Sequence, residues 1–293
     1  MSRGVRIGKF EIGAGRPLFI IAGPCVIESE RHALRLAERL VAAARALRIP
    51  YVFKASYDKA NRTSGASFRG PGLRRGLEIL AAIKKRLGVP VLTDVHEVSH
   101  VGPAAEVCDV IQIPAFLSRQ TDLLVEAGRT GAVVNIKKGQ FLSPWEIRHA
   151  IEKVSRTGNH NIIITERGTT FGYNNLVVDF RGLAVMQQFG YPVVLDVTHS
   201  LQLPGGQGDR SSGQPEYIEP LARAGVAVGV DGVFMEVHDH PAQALSDGAN
   251  ALALGRFQAL AERLRDLGRY VRPTGPGRRR ASHRPAGRAG GAS

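Results

Sequence analysis

The sequence predicts an α/β protein, a single-domain (β/α)8 TIM barrel, from three observations. Eight short runs rich in β-branched and apolar residues alternate with eight amphipathic stretches between residues 17 and 271. Such alternation is typical of parallel strands joined by helices, and a count of eight favours a closed barrel. No G-x-G-x-x-G motif follows the first run, which disfavours the alternative of an open doubly wound sheet.

The predicted elements follow one another in a regular order. We expect strands at residues 17–23, 50–56, 89–95, 109–114, 132–138, 161–167, 191–197 and 231–237. We expect helices at residues 30–47, 71–87, 97–107, 119–129, 144–157, 179–189, 215–224 and 246–267. Ser143 before Pro144 predicts a helix N-terminus, because a hydroxyl can cap the first turn and proline suits the first helical position. Gly88 and Gly190 stand where helices commonly end.

Two segments fall outside the predicted barrel of residues 17–271. Residues 1–16 form an N-terminal extension, in which residues 5–12 alternate around Gly8 and predict a small hairpin that closes the bottom of the barrel. Residues 272–293 contain six arginines and no acidic residue, and they lack apolar periodicity. This tail is expected to be disordered.

The chain carries a net charge of +13, which raises the alternative of a nucleic-acid-binding protein. Six positive charges belong to the tail, however, and aromatic residues, which would interleave a basic nucleic-acid surface, make up only 6% of the chain. The apolar runs are too short for a transmembrane helix, and the N-terminus lacks the apolar stretch of a signal peptide. Two cysteines make no disulfide framework, so we expect a cytoplasmic protein without membrane partners.

Polar residues collect at the carboxyl ends of the predicted strands. If the apolar residues of each strand face the helices, the alternate residues face the barrel interior. The residues then predicted at the mouth of the barrel are Lys54, Ser56, Asp94, Gln112, Lys137 and Arg167. Three buried cations need an anion or acidic neighbours, so the site predicts phosphate or carboxylate binding, with salt bridges to inward-facing acids as the alternative. Residues 59–64 add two cations and two hydroxyls for a second anion.

A second group of residues has the character of metal ligands. Cys25 follows the first strand, His199 the seventh and Glu236 ends the eighth, while Asp247 is expected at the start of the last helix. These strands are neighbours in a closed barrel, so the four side chains can converge. A mixed sulfur, nitrogen and oxygen set suits Zn²⁺, Fe²⁺ or Mn²⁺. Singly, Cys25 could also be a core residue and His199 a turn residue.

Together these residues resemble the 3-deoxy-D-manno-octulosonate 8-phosphate synthase family over roughly residues 5–267. The motifs that carry the resemblance are IAGPC (21–25), ES (28–29), KAS (54–56), KANRTS (59–64), SFRGPG (67–72), IQIPAF (111–116), KKGQF (137–141), ERGTTFGYNN (166–175), DVTHS (196–200), QLPGG (202–206) and FME (234–236). The Arg-rich tail lies outside the resemblance.

The resemblance implies a TIM-barrel transferase of lipopolysaccharide precursor synthesis. Its substrates would be phosphoenolpyruvate, D-arabinose 5-phosphate and water, with attack of water at C2 of phosphoenolpyruvate, cleavage of its C–O bond and attack of C3 on the sugar aldehyde. The phosphoenolpyruvate residues of the family correspond to Lys54, Lys59, Lys137, Arg167 and the backbone near Ala115. Those for the sugar phosphate correspond to Asn61, Arg62 and Thr63; Thr63 stands where serine is usual. A homotetramer is also implied.

The resemblance further implies a metal-dependent enzyme, because members with cysteine at the position of Cys25 require a metal, whereas those with asparagine do not. His199, Glu236 and Asp247 match the remaining ligands. Lys54, Lys59, His199 and Asp94 are the candidates for catalysis, Asp94 for a supporting or proton-transfer role. The nearest alternative is the related synthase that uses erythrose 4-phosphate. That enzyme usually has Lys-Pro-Arg-Thr where this chain has Lys-Ala-Asn-Arg-Thr at 59–63.

Overall fold

Eight parallel strands close into a barrel in this computed structural model, which describes residues 3–61, 65, 67–205 and 212–272. The barrel strands are β3 (Phe19–Gly23), β4 (Tyr51–Lys54), β5 (Val91–Asp94), β6 (Val110–Ile113), β7 (Val133–Lys137), β8 (Ile162–Glu166), β9 (Val193–Asp196) and β10 (Gly232–His238). Each strand pairs with its neighbours in chain order, and β10 pairs with both β9 and β3. The predicted (β/α)8 TIM barrel is confirmed.

Seven α-helices connect these strands, and an eighth follows the last strand. They are α1 (Glu30–Leu47), α2 (Leu73–Leu87), α3 (Val98–Val107), α4 (Thr121–Arg129), α5 (Ile147–Ser155), α6 (Phe180–Gln187), α7 (Ile218–Val228) and α8 (Leu254–Val271). The Ser29 hydroxyl caps α1 by accepting from the His32 N–H at 3.2 Å. Gly88 ends α2 with φ +58°, the left-handed conformation that favours glycine.

Several helix starts differ from the prediction, by two residues in α2 and α4 and by three or more in α5, α7 and α8. Helix α7 begins at Ile218 instead of residue 215, because Pro215–Tyr217 form a 3-10 turn. The turn after Ser143 is irregular, and α5 begins at Ile147; Glu146 reaches back to the Ser143 N–H at 2.8 Å, which is one half of a capping box. The last helix begins at Leu254 instead of residue 246. Asp247 therefore lies in a loop, where its φ of +49° is incompatible with an α-helix.

The antiparallel hairpin of β1 (Val5–Ile7) and β2 (Phe10–Ile12) closes the barrel at its amino end, as predicted. Val5, Ile7 and Ile12 are buried against side chains that fill the barrel interior, namely Phe19, Ile21, Val52, Leu92, Val110, Val133, Ile163, Val194 and Phe234. A second, larger apolar cluster lies between the strands and the helices. The interior is therefore a packed core with an open polar mouth only at the carboxyl ends of the strands.

The chain after the last helix is described only as far as Arg272. The Arg272 guanidinium forms an ion pair with Asp231 at 3.2 Å and donates to the Gly229 carbonyl, so this residue is held against the barrel although the prediction assigned it to the tail. The predicted disorder of residues 273–293 lies outside the described residues. Within the described part of the chain, we find no helix with the length and apolar character needed to span a membrane.

Candidate active site

The polar side chains predicted at the barrel mouth do point into it. Alternation along each strand places them there: Val134 and Ile136 of β7 pack in the outer cluster, so Asn135 and Lys137 point inward. The mouth residues are all less than a tenth exposed, and they include Lys54, Ser56, Asp94, Gln112, Lys137 and Arg167.

Lys54 and Glu236 form a buried ion pair across the mouth. The Lys54 ammonium donates to Glu236 Oε1 at 2.8 Å and to the Cys25 carbonyl oxygen at 2.9 Å. Both side chains are 1% exposed. The second carboxylate oxygen of Glu236, Oε2, is buried and has no hydrogen-bond partner among the described residues. An orphaned buried acceptor of this kind calls for an ion or a ligand.

Asp196 links a lysine to a histidine at the end of β9. Its Oδ2 accepts from Lys137 Nζ at 2.5 Å and from His199 Nδ1 at 2.7 Å. Its Oδ1 accepts from the Thr198 and His199 N–H groups at 3.1 and 2.9 Å. Burial raises the pKa of Asp196, but the charges and hydrogen bonds of His199 and Lys137 hold that pKa well below its ordinary value. Asp196 is therefore an ionised, fully buried carboxylate that keeps Lys137 and His199 in place.

Phe234 forms the floor beneath the two lysines. Its ring centroid lies 4.0 Å from Lys137 Nζ and 5.7 Å from Lys54 Nζ. A cation over an aromatic face is favourable, and more so where water is excluded. Burial lowers the pKa of Lys137, and the charge of the paired Asp196 partly opposes this effect.

Arg167 follows β8 and extends into the mouth. Its NH2 group donates to Gln202 Oε1 at 2.6 Å, whereas NH1 is buried with no hydrogen-bond partner in the described residues. Burial lowers the pKa of Arg167, although Asp196 and Asp247 oppose this effect. A guanidinium with an unused edge suits a bidentate contact to phosphate or carboxylate.

Two hydrogen-bonded chains line the rest of the mouth. Thr165 Oγ1 donates to Asn135 Oδ1 at 2.6 Å, and Asn135 Nδ2 donates to Gln112 Oε1 at 2.9 Å, which joins three adjacent strands.

Next to Gln112, Asp94 ends the neighbouring strand β5, where it accepts from the Ser56 hydroxyl and contacts His96 Nε2 at 3.0 Å. Burial raises the pKa of Asp94, but the His96 hydrogen bond and the charge of Lys59 hold that pKa well below its ordinary value.

Of the remaining predicted substrate residues, Lys59 lies close to the charges of the mouth, and Ala115 is buried, whereas Asn61 is exposed. Burial lowers the pKa of Lys59, but this pKa is held above its ordinary value by nearby groups, namely Cys25, Asp94, Glu236 and Asp247. Ala115 is buried at the start of a short 3-10 turn, and Asn61 is exposed in the turn that follows Lys59. Arg62 and Thr63 lie outside the described residues, so their predicted role in sugar-phosphate binding remains a prediction.

Three of the four predicted metal ligands, Cys25, His199 and Asp247, bring their ligand atoms within 4.8 Å of one another, and the fourth, Glu236, lies beside His199. Cys25 Sγ lies 3.1 Å from Asp247 Oδ2, and His199 Nε2 lies 3.5 Å from Glu236 Oε1 and 3.9 Å from Asp247 Oδ2. The thiol, imidazole and carboxylate of Cys25, His199 and Asp247 are thus close enough to bind a single metal ion. Asp247 reaches the group from the loop before α8 rather than from a helix, because its left-handed backbone turns the chain there.

The donor set fits a divalent metal. Because His199 Nδ1 donates to Asp196, the unprotonated Nε2 faces Glu236 and Asp247, which is the usual arrangement of a metal-binding histidine and its supporting carboxylate. Burial lowers the pKa of His199 and so keeps the imidazole neutral. Burial, with Asp247 and Glu236, raises the pKa of the Cys25 thiol to about 12, so the thiol keeps its proton unless a bound metal ion displaces it.

A second cluster near the mouth has metal-type residues but a different organisation. It comprises Glu28, His32, His238 and Asp239. The His240 N–H donates to His238 Nδ1 at 2.9 Å, so a neutral His238 carries its proton on Nε2 and donates it to Glu28 at 3.2 Å. That proton occupies the position a metal would need. The cluster therefore joins the loops after β3 and β10 through hydrogen bonds, and is not a convincing metal centre.

Several residues of the site were not identified as functional from the sequence. The sequence assigns no individual role to Asp196, Phe234 or Gln202, which occur only within the motifs DVTHS, FME and QLPGG. The alternation along β9 carries a signal for Asp196, since Val194 packs in the inner cluster and Asp196 lies two residues later. No comparable local signal exists for Gln202, because its contact with Arg167 joins two loops.

Comparison with known proteins agrees with this geometry. Residues 4–272 match the model of the DAHP synthetase I family. A protein of Trichlorobacter lovleyi named 2-dehydro-3-deoxyphosphooctonate aldolase is 58% identical over 272 residues, which are 93% of this chain and 100% of that relative. Proteins of the same name from Geobacter sp. (strain M21) and Geobacter metallireducens are 58% and 57% identical over 271 and 272 residues, covering 92% and 93% of this chain and 99% and 100% of the relatives. The chain belongs to the DAHP synthetase I family.

Proposed function

We propose that this protein condenses phosphoenolpyruvate with D-arabinose 5-phosphate and water to give 3-deoxy-D-manno-octulosonate 8-phosphate and phosphate. The observation that carries the proposal is the similarity, over more than nine-tenths of the chain, to relatives named as 2-dehydro-3-deoxyphosphooctonate aldolases. The buried cations at the mouth support it, because both substrates are anions that need such partners.

Phosphoenolpyruvate would lie against Lys54, Lys59, Lys137 and Arg167, with the backbone at Ala115 beside them. The unused NH1 edge of Arg167 suits a phosphate or carboxylate fork, and Lys137 supplies a point charge above Phe234. These cations lie deep in the mouth, so the double bond of the substrate would sit close to the metal-type residues.

The aldehyde of the second substrate would lie between phosphoenolpyruvate and the rim. Asn61, Arg62 and Thr63 would bind its phosphate, and Ser56 and Gln112 would face the sugar. Asp94 holds a low pKa, so it stays ionised at neutral pH and would accept a hydrogen bond from a substrate hydroxyl or water rather than donate a proton.

The reaction rearranges bonds without a redox step. The π electrons of phosphoenolpyruvate form the new bond from C3 to the aldehyde carbon, and the aldehyde oxygen takes up a proton. Water adds its oxygen at C2 and gives up one proton, which balances the proton taken up by the aldehyde oxygen. The hydroxyl at C2 then becomes the keto group: its remaining proton leaves as the C2–O bond to phosphate breaks, and phosphate carries away the bridging oxygen and that proton. Lys137 and Arg167 would stabilise the charge that develops on the departing phosphate.

A divalent ion held by Cys25, His199, Glu236 and Asp247 is part of the proposal. Zn²⁺, Fe²⁺ and Mn²⁺ all suit this donor set. When bound, such an ion supplies a Lewis acid that polarises the aldehyde or orients a hydroxyl or water beside it. The buried, unpartnered Oε2 of Glu236 and the bare Nε2 of His199 support this assignment.

We also propose a homotetramer in the cytoplasm. Large aromatic side chains are exposed on the loops of the mouth, and they include Phe116, Phe141, Trp145, Phe171 and Tyr173. Exposed apolar patches commonly mark protein interfaces. Sedimentation should give four times the chain mass of 31.6 kDa. A cytoplasmic location agrees with a ligand thiol at Cys25, which has to remain reduced.

The decisive experiment compares D-arabinose 5-phosphate with erythrose 4-phosphate at saturating phosphoenolpyruvate. The proposal expects a higher kcat/KM with the five-carbon sugar, and faster turnover of erythrose 4-phosphate would contradict it. In ¹⁸O-labelled water the released phosphate should contain no label, because the C–O bond breaks. Labelled phosphate would show that the P–O bond breaks instead and would refute cleavage of the C–O bond.

The metal is tested on the same preparation. Removal of metal with a strong chelator should abolish activity, and Zn²⁺, Mn²⁺ or Fe²⁺ should restore it. Full activity after metal analysis has verified complete removal would contradict the proposed metal requirement.

A further inference from the structure

Two pairs of consecutive charged residues lie at the mouth, and in each pair one side chain faces the barrel interior and the other faces the helices. Lys137 and Arg167 point inward, whereas Lys138 and Glu166 have the opposite orientation and follow Ile136 and Ile164 on the helix side. Lys138 and Glu166 are 0% and 2% exposed. Neither lines the mouth, yet each is joined by one peptide bond to a residue that does.

The Lys138 ammonium ties together three parts of the chain. It donates to the carbonyl oxygens of Gly139 and Leu142 at 3.1 and 3.0 Å and to Thr169 Oγ1 at 3.0 Å. Its three donors are thereby used, and the carboxylate of Glu166 lies 3.7 Å away. The loop after Lys137 is consequently fixed to the chain that follows Arg167.

Glu166 shapes the turn from which Arg167 extends. Its Oε1 accepts from the N–H groups of Arg167 and Gly168 at 2.9 and 2.6 Å. Gly168 has φ +91°, a conformation that L residues with side chains rarely adopt. The carboxylate therefore stabilises a backbone turn that directs Arg167 inward toward Gln202.

A buried ion pair contributes little net stability to a barrel wall. Taking two charges out of water costs several kcal/mol per ion, and apolar residues of similar size are often as stable or more so. Burial shifts the pKa of Lys138 down and that of Glu166 up, which reflects this cost. What the pair provides is directional: five hydrogen bonds, four of them to backbone groups, fix the loop that follows Lys137 and the turn at Arg167.

We propose that Lys138 and Glu166 are positioning residues that set the geometry of the phosphoenolpyruvate subsite through Lys137 and Arg167 without touching the substrate. This inference rests on the proposed function. Binding sites need such supporting residues, and displacement of a binding group by about 1 Å can cost about 100-fold. The pair should therefore govern phosphoenolpyruvate binding and leave the sugar phosphate subsite unaffected.

The test uses Lys138→Met, which preserves length and removes the charge. We expect the KM for phosphoenolpyruvate to rise about tenfold or more, with the KM for D-arabinose 5-phosphate changed by less than about twofold. Calorimetric titration with phosphoenolpyruvate alone should show the same loss of affinity. The matched control is Lys84→Met on α2, where the ammonium donates to the Val107 carbonyl and pairs with Asp109 at the amino end of a strand. It should leave both KM values unchanged.

A second pair of variants separates positioning from stability. Glu166→Gln keeps an oxygen that can accept from Arg167 and Gly168, whereas Glu166→Leu keeps none. The KM for phosphoenolpyruvate should rise more in the leucine variant. If Lys138→Met does not fold, the double variant Lys138→Met/Glu166→Leu replaces the pair by apolar residues. It should fold and still bind phosphoenolpyruvate weakly.

The outcomes are distinct. An unchanged KM for phosphoenolpyruvate in folded variants overturns the proposal, as does an equal rise for both substrates or a loss confined to kcat. Wild-type protein that neither binds phosphoenolpyruvate nor turns it over would instead refute the proposed function.

Discussion

Replacement of Asp196 by asparagine provides the sharpest test of how the metal-type residues are held. The asparagine carbonyl oxygen can keep the hydrogen bonds from the Thr198 and His199 N–H groups. Its Nδ2 group then replaces the oxygen that lies 2.5 Å from Lys137 Nζ and 2.7 Å from His199 Nδ1. The amide N–H groups of the asparagine would then face the Lys137 ammonium and the His199 Nδ1–H, which are also donors. His199 must therefore change tautomer and place its proton on Nε2.

The expected magnitude follows from these contacts. With Nε2 protonated, His199 loses its ligand atom, and loss of a supporting carboxylate behind a metal-binding histidine typically costs about 10- to 100-fold in metal affinity. Asp196 is also 0% exposed and pairs with Lys137. Removal of one partner from a buried pair costs about 3–5 kcal/mol of unfolding free energy.

The assay measures Zn²⁺ or Mn²⁺ affinity by competition with a chelator, and unfolding of the metal-free protein in urea. Asp231→Asn is the matched control, since Asp231 is also buried, accepts from the Val193 N–H at 2.8 Å and pairs with Arg272, but lies at the amino end of the barrel. It should lose stability and keep its metal affinity. Wild-type metal affinity in Asp196→Asn would refute the reasoning.

Three further predictions concern other parts of the chain. Cys25→Asn should reduce metal affinity in the same competition assay, because an amide replaces the thiolate ligand; unchanged affinity would remove Cys25 from the site. Ile7→Ala should lower the unfolding free energy by about 2–5 kcal/mol, since this hairpin residue is 1% exposed in the barrel core; a loss below about 1 kcal/mol would show that the hairpin is not part of the cooperative fold. Partial burial raises the pKa of Asp239, but hydrogen bonds from His32 and Arg35 lower it from 3.8 to about 2. Its stabilisation is therefore present above about pH 4 and lost as the pH falls towards 2, so Asp239→Asn should flatten the stability profile over that range; an identical profile would count against these hydrogen bonds.

The fold was predictable because each barrel strand alternates strictly between two environments. The apolar residues of β7, Val134 and Ile136, identify the helix-facing side, and this fixes the direction of Asn135 and Lys137 without any tertiary information. Because side chains alternate along a strand, a shift of one residue would turn every inward side chain of that strand outward. The direction of one residue therefore fixes the direction of the others in the same strand.

What the sequence did not predict depends on contacts between distant segments. Residues 246–253 have the composition of a helix start, yet Gly248–Asn250 form a 3-10 turn and Leu252–Ala253 pair with Val237 and His238 at the end of β10, a contact that a helix there would lose. The positions of Asp247 opposite Cys25, and of Gln202 opposite Arg167, likewise depend on how loops from different strands meet. Local propensity carries no information about such pairings.

The charge of the mouth shows why side-chain pairing matters more than the total of +13. The described residues bring together four cations and four carboxylates, namely Lys54, Lys59, Lys137, Arg167, Asp94, Asp196, Glu236 and Asp247. Anion binding here cannot depend on an excess of positive charge. It depends on which donors retain an unused edge, and Arg167 NH1 is such a donor, whereas Lys54 and Lys137 are already paired with Glu236 and Asp196. A substrate anion must therefore share Lys54 and Lys137 with Glu236 and Asp196. Because Glu236 is itself a predicted metal ligand and Asp196 holds His199, this sharing couples the phosphoenolpyruvate subsite electrostatically to the predicted metal site.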